Sequence, residues 1–471
     1  MPDSPGSGRP LAAALNRACQ CFPVSREGLV NALRDAPLRE EHGNLVAGSA
    51  VFVGASDARA IAQFSDNLVR VMDLPGFRTA ALAQAGAAAQ RDPHIAGGLL
   101  GLDFHLTASG PRLIEINTNP GGVLINVEIQ DALQACCEAA ARWLPSLPTA
   151  ETLRDRVFAV FEREWRQAGG AGAPVVAIVD EVPAQQYLSP EFRLFQALFE
   201  RRGWRAVIAD PAELIHRGGA LRLGDTRLDL VYNRLTDFAL DQPSSAALRA
   251  AWLAGHVVLT PHPRAHALHA DKRLLAWLSD AAKLETLGAD PALARAVAAR
   301  VPPTFEIHAA EAERWWRERD HYYFKPAAGY GGKAAYAGAK LTRKTFEQVL
   351  KGGYLAQQAV EPPRRERGQD QALKYDLRAY ADPADGAVLL MAAIAYWVLQ
   401  QTLIASEGPA SVLKSAVGGD WKGKLSPVVY LLAIASTFWV QWLAQALYTL
   451  VALLWLIPDR RIERALQRRE T

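Results

Sequence analysis

The chain has 471 residues, half of them hydrophobic and 21% charged, with a formal net charge of +3. That length supports a sizeable core in two or three domains, and so thin a positive balance argues against nucleic acid as the main partner. Four cysteines fall in two tight pairs, Cys19/Cys21 and Cys136/Cys137. Their spacing suits neither a zinc site nor a disulfide framework, so a reducing, cytosolic setting is expected.

The N-terminal stretch MPDSPGSGRPLAAALNR lacks the apolar core of a signal peptide. Residues 1–150 read as helices around a small strand unit. The pattern predicts an alanine-rich helical stretch at 79–91, strands near 99–107 and 111–117, and a helix at 126–143. Pro145 to Thr149 marks a boundary. A new α/β unit begins at APVVAIVDE (173–181), whose continuous apolar run suits a buried parallel strand. A helix at 190–202 follows, then the strand WRAVIAD, the hairpin-like ALRLGDTRLDLVYNR, a helix, and the strand HVVLT at 256–260. Alternating strands and helices predict a layered α/β fold. A third unit, 270–393, holds YYFKP, a glycine-rich turn, YLAQQAVEPP, and the strand pair LKYDLRAYAD/GAVLLMAA. The basic stretch PPRRERGQDQ (362–371) reads as a solvated loop.

Two segments carry chemistry. In FKPAAGYGGK (324–333) a strand ends on Lys325-Pro326, and Gly329, Tyr330, Gly331 and Gly332 follow. Glycines let backbone N–H groups close on an anion, and a lysine leaving the strand reaches phosphate oxygens. In RLIEINTNPGG (112–122), Glu115 and Asn117 stand on one face of a strand end. They supply hard oxygen ligands side by side, which suits Mg²⁺ bridging nucleotide phosphates. Asp103, in GLDFHL, is a candidate third ligand. YLAQQAVEPP reads as a strand running into a polar turn, able to present backbone groups to an adenine edge. No convincing Ser/His or Cys/His set is evident.

With these motifs, residues about 95–393 resemble ATP-grasp ligases. In the usual order of that family the metal-binding E-x-N comes last. Here IEINTNPGG comes first, as in the circularly permuted branch typified by eukaryotic-type glutathione synthetase. The resemblance implies that Glu115 and Asn117 are metal ligands and that Lys272, in HADKRLL, and Lys325 hold phosphate. It implies that Gly329 to Gly332 cover the phosphates and that Gln357, Gln358 and the turn to Val360 meet the adenine. Arg234, in LVYNRLTDF, would hold a substrate carboxylate, Asn119 would line the acceptor pocket, and Arg378 would face the γ-phosphate or acyl phosphate. The implied reaction is Mg²⁺- and ATP-dependent ligation of a small-molecule carboxylate and an amine through an acyl phosphate.

After KYDLRAYADPADGAVLLMAA the family continues with a further strand and a second glycine-rich segment that completes the lid. This chain turns instead into apolar sequence. About 20 uncharged residues run from Ala387 to Ser406, and about 30 from Val428 to Ile457. Each is long enough to cross a ~30 Å hydrocarbon core. DWKGKLSPVVY and LLWLIPDRRIER resemble the last two helices of prokaryotic relatives of the endolysosomal potassium channel. Phe64-Ser65-Asp66 matches the pore motif of that family but is read as coincidence, since no apolar span follows. Without a first helix, two helices would have to assemble with other chains to conduct.

The expected architecture is therefore a circularly permuted ATP-grasp fold of the α/β (α+β) class, incomplete at its C-terminal end and followed by a two-helix transmembrane hairpin. Its expected parts are 1–148, a region carrying E-x-N; 149–270, an α/β substrate domain; 271–393, the nucleotide-binding region; and 387–471, the hairpin with a basic tail. Arg460, Arg461, Arg464, Arg468 and Arg469 beyond the last span place both the N-terminal region and the C-terminus in the cytosol of a multi-pass cytoplasmic-membrane protein. The join near Ala392–Ile394 falls inside an expected strand, which suggests a fusion by deletion or frameshift. Two functions are expected to compete: a membrane-tethered ligase, idle if its lid is lost, and a potassium-channel-like fragment or subunit.

Overall fold

Upstream of the first strands the described residues include the helices α1 (Gly8–Ala18), α2 (Ala55–Met72) and α3 (Pro75–Ala83). The computed structural model describes residues 8–18, 51–132, 148–327, 334–367 and 371–394. The chain divides into two units, Met1–Tyr396 and Trp397–Thr471; all described residues belong to the first. The stretch 79–91, expected as one helix, is divided. α3 stops at Ala83, and a second turn runs only from Ala87 to Gln90 behind Gly86, whose backbone is extended. Phe64 and Ser65 are buried in α2, whereas Asp66 faces solvent 3.9 Å from Arg70. The FSD tripeptide is thus part of an amphipathic core helix.

The apolar–polar alternation of GLDFHL and RLIEIN folds as an antiparallel pair, β1 (Leu100–Thr107) and β2 (Gly110–Asn117). A short helix, α4 (Val123–Ala132), follows the NPGG turn; it starts earlier than the expected 126. α5 (Ala150–Gln167) begins where the Thr149 side chain accepts a hydrogen bond from Thr152 N, an ordinary N-cap.

The apolar run at 175–179 becomes β3 (Val175–Val179), buried and parallel on both sides. It is followed by α6 (Ser189–Arg201), β4 (Arg205–Ala209), β5 (Leu214–Arg217), β6 (Ala220–Leu223), β7 (Thr226–Leu228) and β8 (Leu230–Asn233). Then come α7 (Ala246–Ala254) and β9 (Val258–Thr260). The expected hairpin at 220–233 splits. β6 and β7 pair in a small sheet with β5, while β8 crosses into the parallel sheet of order β4-β3-β8-β9. The chain leaves β3 to one side for β4 and returns on the other for β8. The carboxyl ends of β3 and β8, at Asp180 and Arg234, therefore flank the point where the strand order reverses.

The third stretch holds β10 (Thr304–Glu306), β11 (Tyr322–Pro326), β12 (Tyr336–Ala337) and β13 (Tyr354–Gln358), an antiparallel sheet of order β10-β13-β11-β12. Phe324, Phe346, Trp315 and Val349 close one of its faces. β14 (Arg364–Arg367) and β15 (Gln371–Lys374) form a two-stranded ladder. Within the stretch 362–371, expected as a solvated loop, 364–367 and 371 are strand, and Arg365 is buried. Charge density misled there, because a ladder satisfies backbone groups whatever the side chains carry.

Last come β16 (Asp376–Ala381) and β17 (Val388–Ile394). They join β1 and β2 in one antiparallel sheet of order β17-β16-β1-β2, so strands from the first and third stretches complete each other. Leu100, Leu102, Phe104, Leu113, Ile116, Leu377 and Ala379 turn one face of this sheet into the largest apolar cluster, against α2, α3 and the helical turns of 268–301. The apolar run expected as a span from Ala387 begins as β17, a strand rather than a helix. Among the described residues no helix is long and apolar enough to cross a membrane. Residues 395–471, with the expected span 428–457 and the basic tail, lie outside the described residues.

Candidate functional site

With one face of that sheet buried, alternation puts the polar set on the other. β1 pairs Asp103 with Glu115 on β2 and with Arg378 on β16, so an arginine and two carboxylates form a row across three strands. Asn117 lies one step along, opposite Gly101. The ladder shifts register between Asp103 and Phe104, leaving Ile114 as an extra residue on β2. This bulge keeps Leu113 and Ile116 buried while Glu115 and Asn117 share the polar face.

The bulge has a second consequence. Lys325 on β11 donates from Nζ to the carbonyl of Ile114 (3.1 Å) and to Gln357 Oε1 on β13 (2.7 Å). The polar faces of the two sheets therefore meet at Lys325. Lys272 follows a short π-helical turn, His266–Ala270, and its Nζ lies 3.1 Å from Glu115 Oε1. Gln357 is 3% exposed, and its Nε2 has no hydrogen-bond partner among the described residues. A buried amide donor left over beside a lysine and a carboxylate is what a site that receives an acceptor-rich ligand would keep.

The electrostatics follow from burial. Arg378 donates to both oxygens of Asp103, at 2.6 and 2.7 Å, and this contact outweighs burial to hold the guanidinium firmly protonated. Burial pushes the Glu115 carboxyl up, but Lys272 and Lys325 prevail and hold it below its ordinary range. Burial pulls the Lys325 ammonium down, against the pull of Glu115. Two carboxylates and three cations thus face one another at a sheet junction.

The turn after Asn117 is clasped from several sides. Arg234, 5% exposed, donates from Nη1 to the carbonyls of Asn119 (3.0 Å) and Pro120 (3.2 Å) and to the Tyr232 hydroxyl (3.0 Å). Asn119 answers by donating to the carbonyls of Arg234 (3.3 Å) and Leu235 (3.0 Å). Glu191 accepts from Gly122 N (2.8 Å) and Leu124 N (3.1 Å), at the start of α4. Tyr380 donates to the carbonyl of Gly121 (2.7 Å). A Cβ on Gly121 would lie 2.3 Å from Leu188 Cδ1, and Gly122 has φ +91°. Both glycines are required by close approach and by a left-handed backbone. Beside them, burial raises the Asp180 carboxyl to about 6, against the pull of Arg234. The next residue but one, Val182, holds φ +41° and is half exposed.

The structure brings Asp103, Glu115, Asn117, Lys272, Lys325, Gln357 and Arg378 together. Arg234 and Asn119 lie at the adjoining turn, committed to each other's backbone. Gln358 points to solvent, as alternation with Gln357 requires. The Val360 carbonyl lies 2.8 Å from His105 Nδ1, and His105 Nε2 lies 2.8 Å from Asp376 Oδ1. Gly329, Tyr330, Gly331 and Gly332 lie outside the described residues. Asp103, expected as a third metal ligand, has both oxygens on Arg378 and also receives the Asn117 amide (3.2 Å). Among the described residues no group of three or more His, Cys, Asp or Glu side chains is set to hold a metal ion. Glu115 and Asn117 fit a hard cation that takes its remaining oxygens from a nucleotide. Sequence reasoning missed His105, Glu191 and the Ile114 bulge. Glu191 looks like any acidic residue in a first helical turn, and His105 like any polar residue of a half-buried strand.

Comparison with known proteins gives two separate likenesses. No protein-family model matches the chain. A potassium channel of Chryseobacterium sp. (strain P1-3) is 45% identical over 82 residues, which is 17% of this chain, in its C-terminal part, and 43% of that protein. The chain thus matches less than half the length of this curated relative. Among solved structures, a glutathione synthetase-like effector from Globodera pallida in its apo form superposes with TM-score 0.47 at 13% identity. That match covers 78% of this chain and 91% of the other. A putative gamma-glutamylcysteine synthetase from Methylobacillus flagellatus KT gives TM-score 0.40 at 13% identity, over 72% of this chain and 82% of the other. At that level of superposition neither structure assigns a role to any residue here.

Proposed function

We propose that this chain carries a Mg²⁺- and ATP-dependent carboxylate–amine ligase site of the permuted ATP-grasp kind. The observation that carries the reading is the meeting of Lys272, Lys325 and Arg378 with Glu115, Asn117 and the orphaned amide of Gln357. Lys325 and Ile114 are 211 residues apart in sequence, and Arg378 and Asp103 275 apart. In this reading Mg²⁺ on Glu115 and Asn117 would offset phosphate charge. Lys272 and Lys325 exchange their internal partners for phosphate oxygens and stabilise the charge that develops on the transferred group. Asp103 keeps Arg378 oriented toward that group. A substrate carboxylate attacks the γ-phosphate and ADP leaves; an amine then displaces phosphate from the acyl phosphate and gives up a proton to form the amide. The clasped turn at Asn119–Gly122 walls the acceptor side.

A second reading, a potassium-channel-like membrane component, is favoured by the 45% identity over 82 residues. The two combine if the C-terminal part tethers the ligase-like part to the cytoplasmic membrane, with that part in the ATP-containing compartment.

The test is a titration of detergent-purified full-length protein with ATP and Mg²⁺. Saturable, Mg²⁺-dependent binding is expected, weakened about 10–100-fold by Lys325→Ala and by Glu115→Ala. No binding by folded wild-type protein would remove the ligase reading and leave the channel-like part as the one to study.

A further inference from the structure

A cleft of about 220 Å³ lies away from this site. It opens at the amino ends of β8 and β9, where Asp229 and Val258 sit, between Trp165 in the last turn of α5 and Trp252 in α7. Arg234 stands at the other end of β8, roughly 16 Å away along the strand. The cleft is therefore separate from the candidate nucleotide site.

Its chemistry is one-sided. Arg91 lies over the Trp252 ring, its Cζ 4.3 Å from the centroid. Among the described residues its guanidinium has no hydrogen-bond or ion-pair partner. The neighbouring Asp92 is turned to Arg264 (2.9 Å) and to His94 N (2.9 Å). Arg227 adds a second, mostly exposed cation at the rim. Asp229, the acid in the lining, has one oxygen on Val175 N (2.9 Å) and the other 3.2 Å from Arg227 Nε. Trp165 is fixed by its own bond from Nε1 to the Gly172 carbonyl (3.1 Å) and by Gly170 pressed against its ring. One wall is thus the fixed, partly exposed Trp165 ring, and on the other a planar five-donor fork covers the buried Trp252. A guanidinium held by stacking matches a carboxylate two-pronged and loses little freedom on binding.

We propose that this cleft is a binding site for a small organic carboxylate, with Arg91, backed by the buried Trp252, holding the carboxylate and Trp165, Pro93 and Ile95 beside its apolar body. The site is independent of the nucleotide reading, and its occupant is a ligand other than the substrates of a ligase.

The test is calorimetric titration of the full-length chain with benzoate, acetate and inorganic phosphate in turn. Benzoate is expected to bind saturably with a Kd of about 0.1–1 mM, and acetate and phosphate at least about fivefold more weakly, since neither carries an apolar ring to lie against Trp165. Arg91→Met keeps the apolar stem on Trp252 and is expected to weaken benzoate at least about tenfold. Arg227→Gln, at an exposed position where folding is not at stake, is expected to weaken it about threefold. Lys325→Ala is expected to leave benzoate binding unchanged, so failure here and failure of the ligase reading are told apart. Absence of saturable benzoate binding up to about 10 mM, or binding unaffected by both arginine variants, overturns the proposal. Phosphate binding as tightly as benzoate overturns the ligand class.

Discussion

Asp103→Ala is expected to destabilise the Met1–Tyr396 unit by about 3–5 kcal/mol, among the largest single effects in the protein. Both carboxylate oxygens are bound by Arg378, and the pair is mostly buried, at 14% and 17% side-chain exposure. Removing the carboxylate leaves a buried guanidinium between β1 and β16 with weaker acceptors, the Gly121 carbonyl at 3.4 Å and the neighbouring Tyr380 hydroxyl. Asp103→Asn keeps the shape and one acceptor and is expected to lose about half as much. Chemical denaturation of both variants measures this. A Asp103→Ala protein within about 1 kcal/mol of wild type would mean that Arg378 finds another partner, and that Asp103 is free to serve elsewhere.

The second large effect is a change in pH dependence at His262. Burial lowers its imidazole to about 3, with the Ile95 carbonyl opposing. Nδ1 accepts from Ala265 N (2.9 Å), Nε2 faces the Ile95 carbonyl (3.3 Å), and the ring stacks on Trp252. His266 and His269, next in the same segment, are lowered to about 4 by burial as well. The segment that delivers Lys272 thus rests on neutral imidazoles. Below pH 6.5 the unfolded chain takes up protons that the folded chain refuses. The stability these groups contribute is therefore complete above that pH and is lost as pH falls toward 3 or 4.

Each such group adds about 1.4 kcal/mol per pH unit to the loss. Asp180, Glu164 and Glu191 act in the opposite sense, because burial raises their carboxyls and the folded chain then holds the extra proton. The expectation is therefore a difference between proteins. His262→Asn retains an N-cap acceptor but does not titrate. It is expected to be less stable at pH 7 by about 2 kcal/mol and to lose about one proton's worth of slope between pH 6.5 and 4. Asp180→Asn is expected to gain about 1–2 kcal/mol above pH 6 and nothing at pH 4. Unfolding curves at about pH 7.5, 6 and 4.5 measure both. Slopes parallel to wild type would show that these side chains meet water in the folded protein.

How much was legible beforehand depended on how local the cause was. Alternation in GLDFHL and RLIEIN is a period-two pattern, so the strands and the shared face of Glu115 and Asn117 could be read directly. The strand pair at 376–394 was legible for the same reason, although its second member is apolar enough to read also as the start of a span. β17 pairs with β16 through Ile394, and the ladder settles that competition for 388–394. Long-range partners left no local trace. Glu191 reaches Gly122 across 69 residues and His105 reaches Val360 across 255. Arg234 illustrates the limit well. The resemblance implies a group that holds a substrate carboxylate, while the contacts of Nη1 with the backbone of the acceptor turn had no local signal. The Ile114 bulge was hidden too, because one extra residue leaves the alternation on either side intact.

The measurement closest to the central claim is photolabelling of the full-length chain with Mg²⁺ and 8-azido-ATP, followed by peptide mapping with and without excess ATP. If the two sheets meet around a nucleotide, ATP-protected label lies in the peptide that spans Tyr354 to Val360. Protected label confined to the cleft lined by Arg91 and Trp252, or label that ATP does not displace anywhere, would contradict the account.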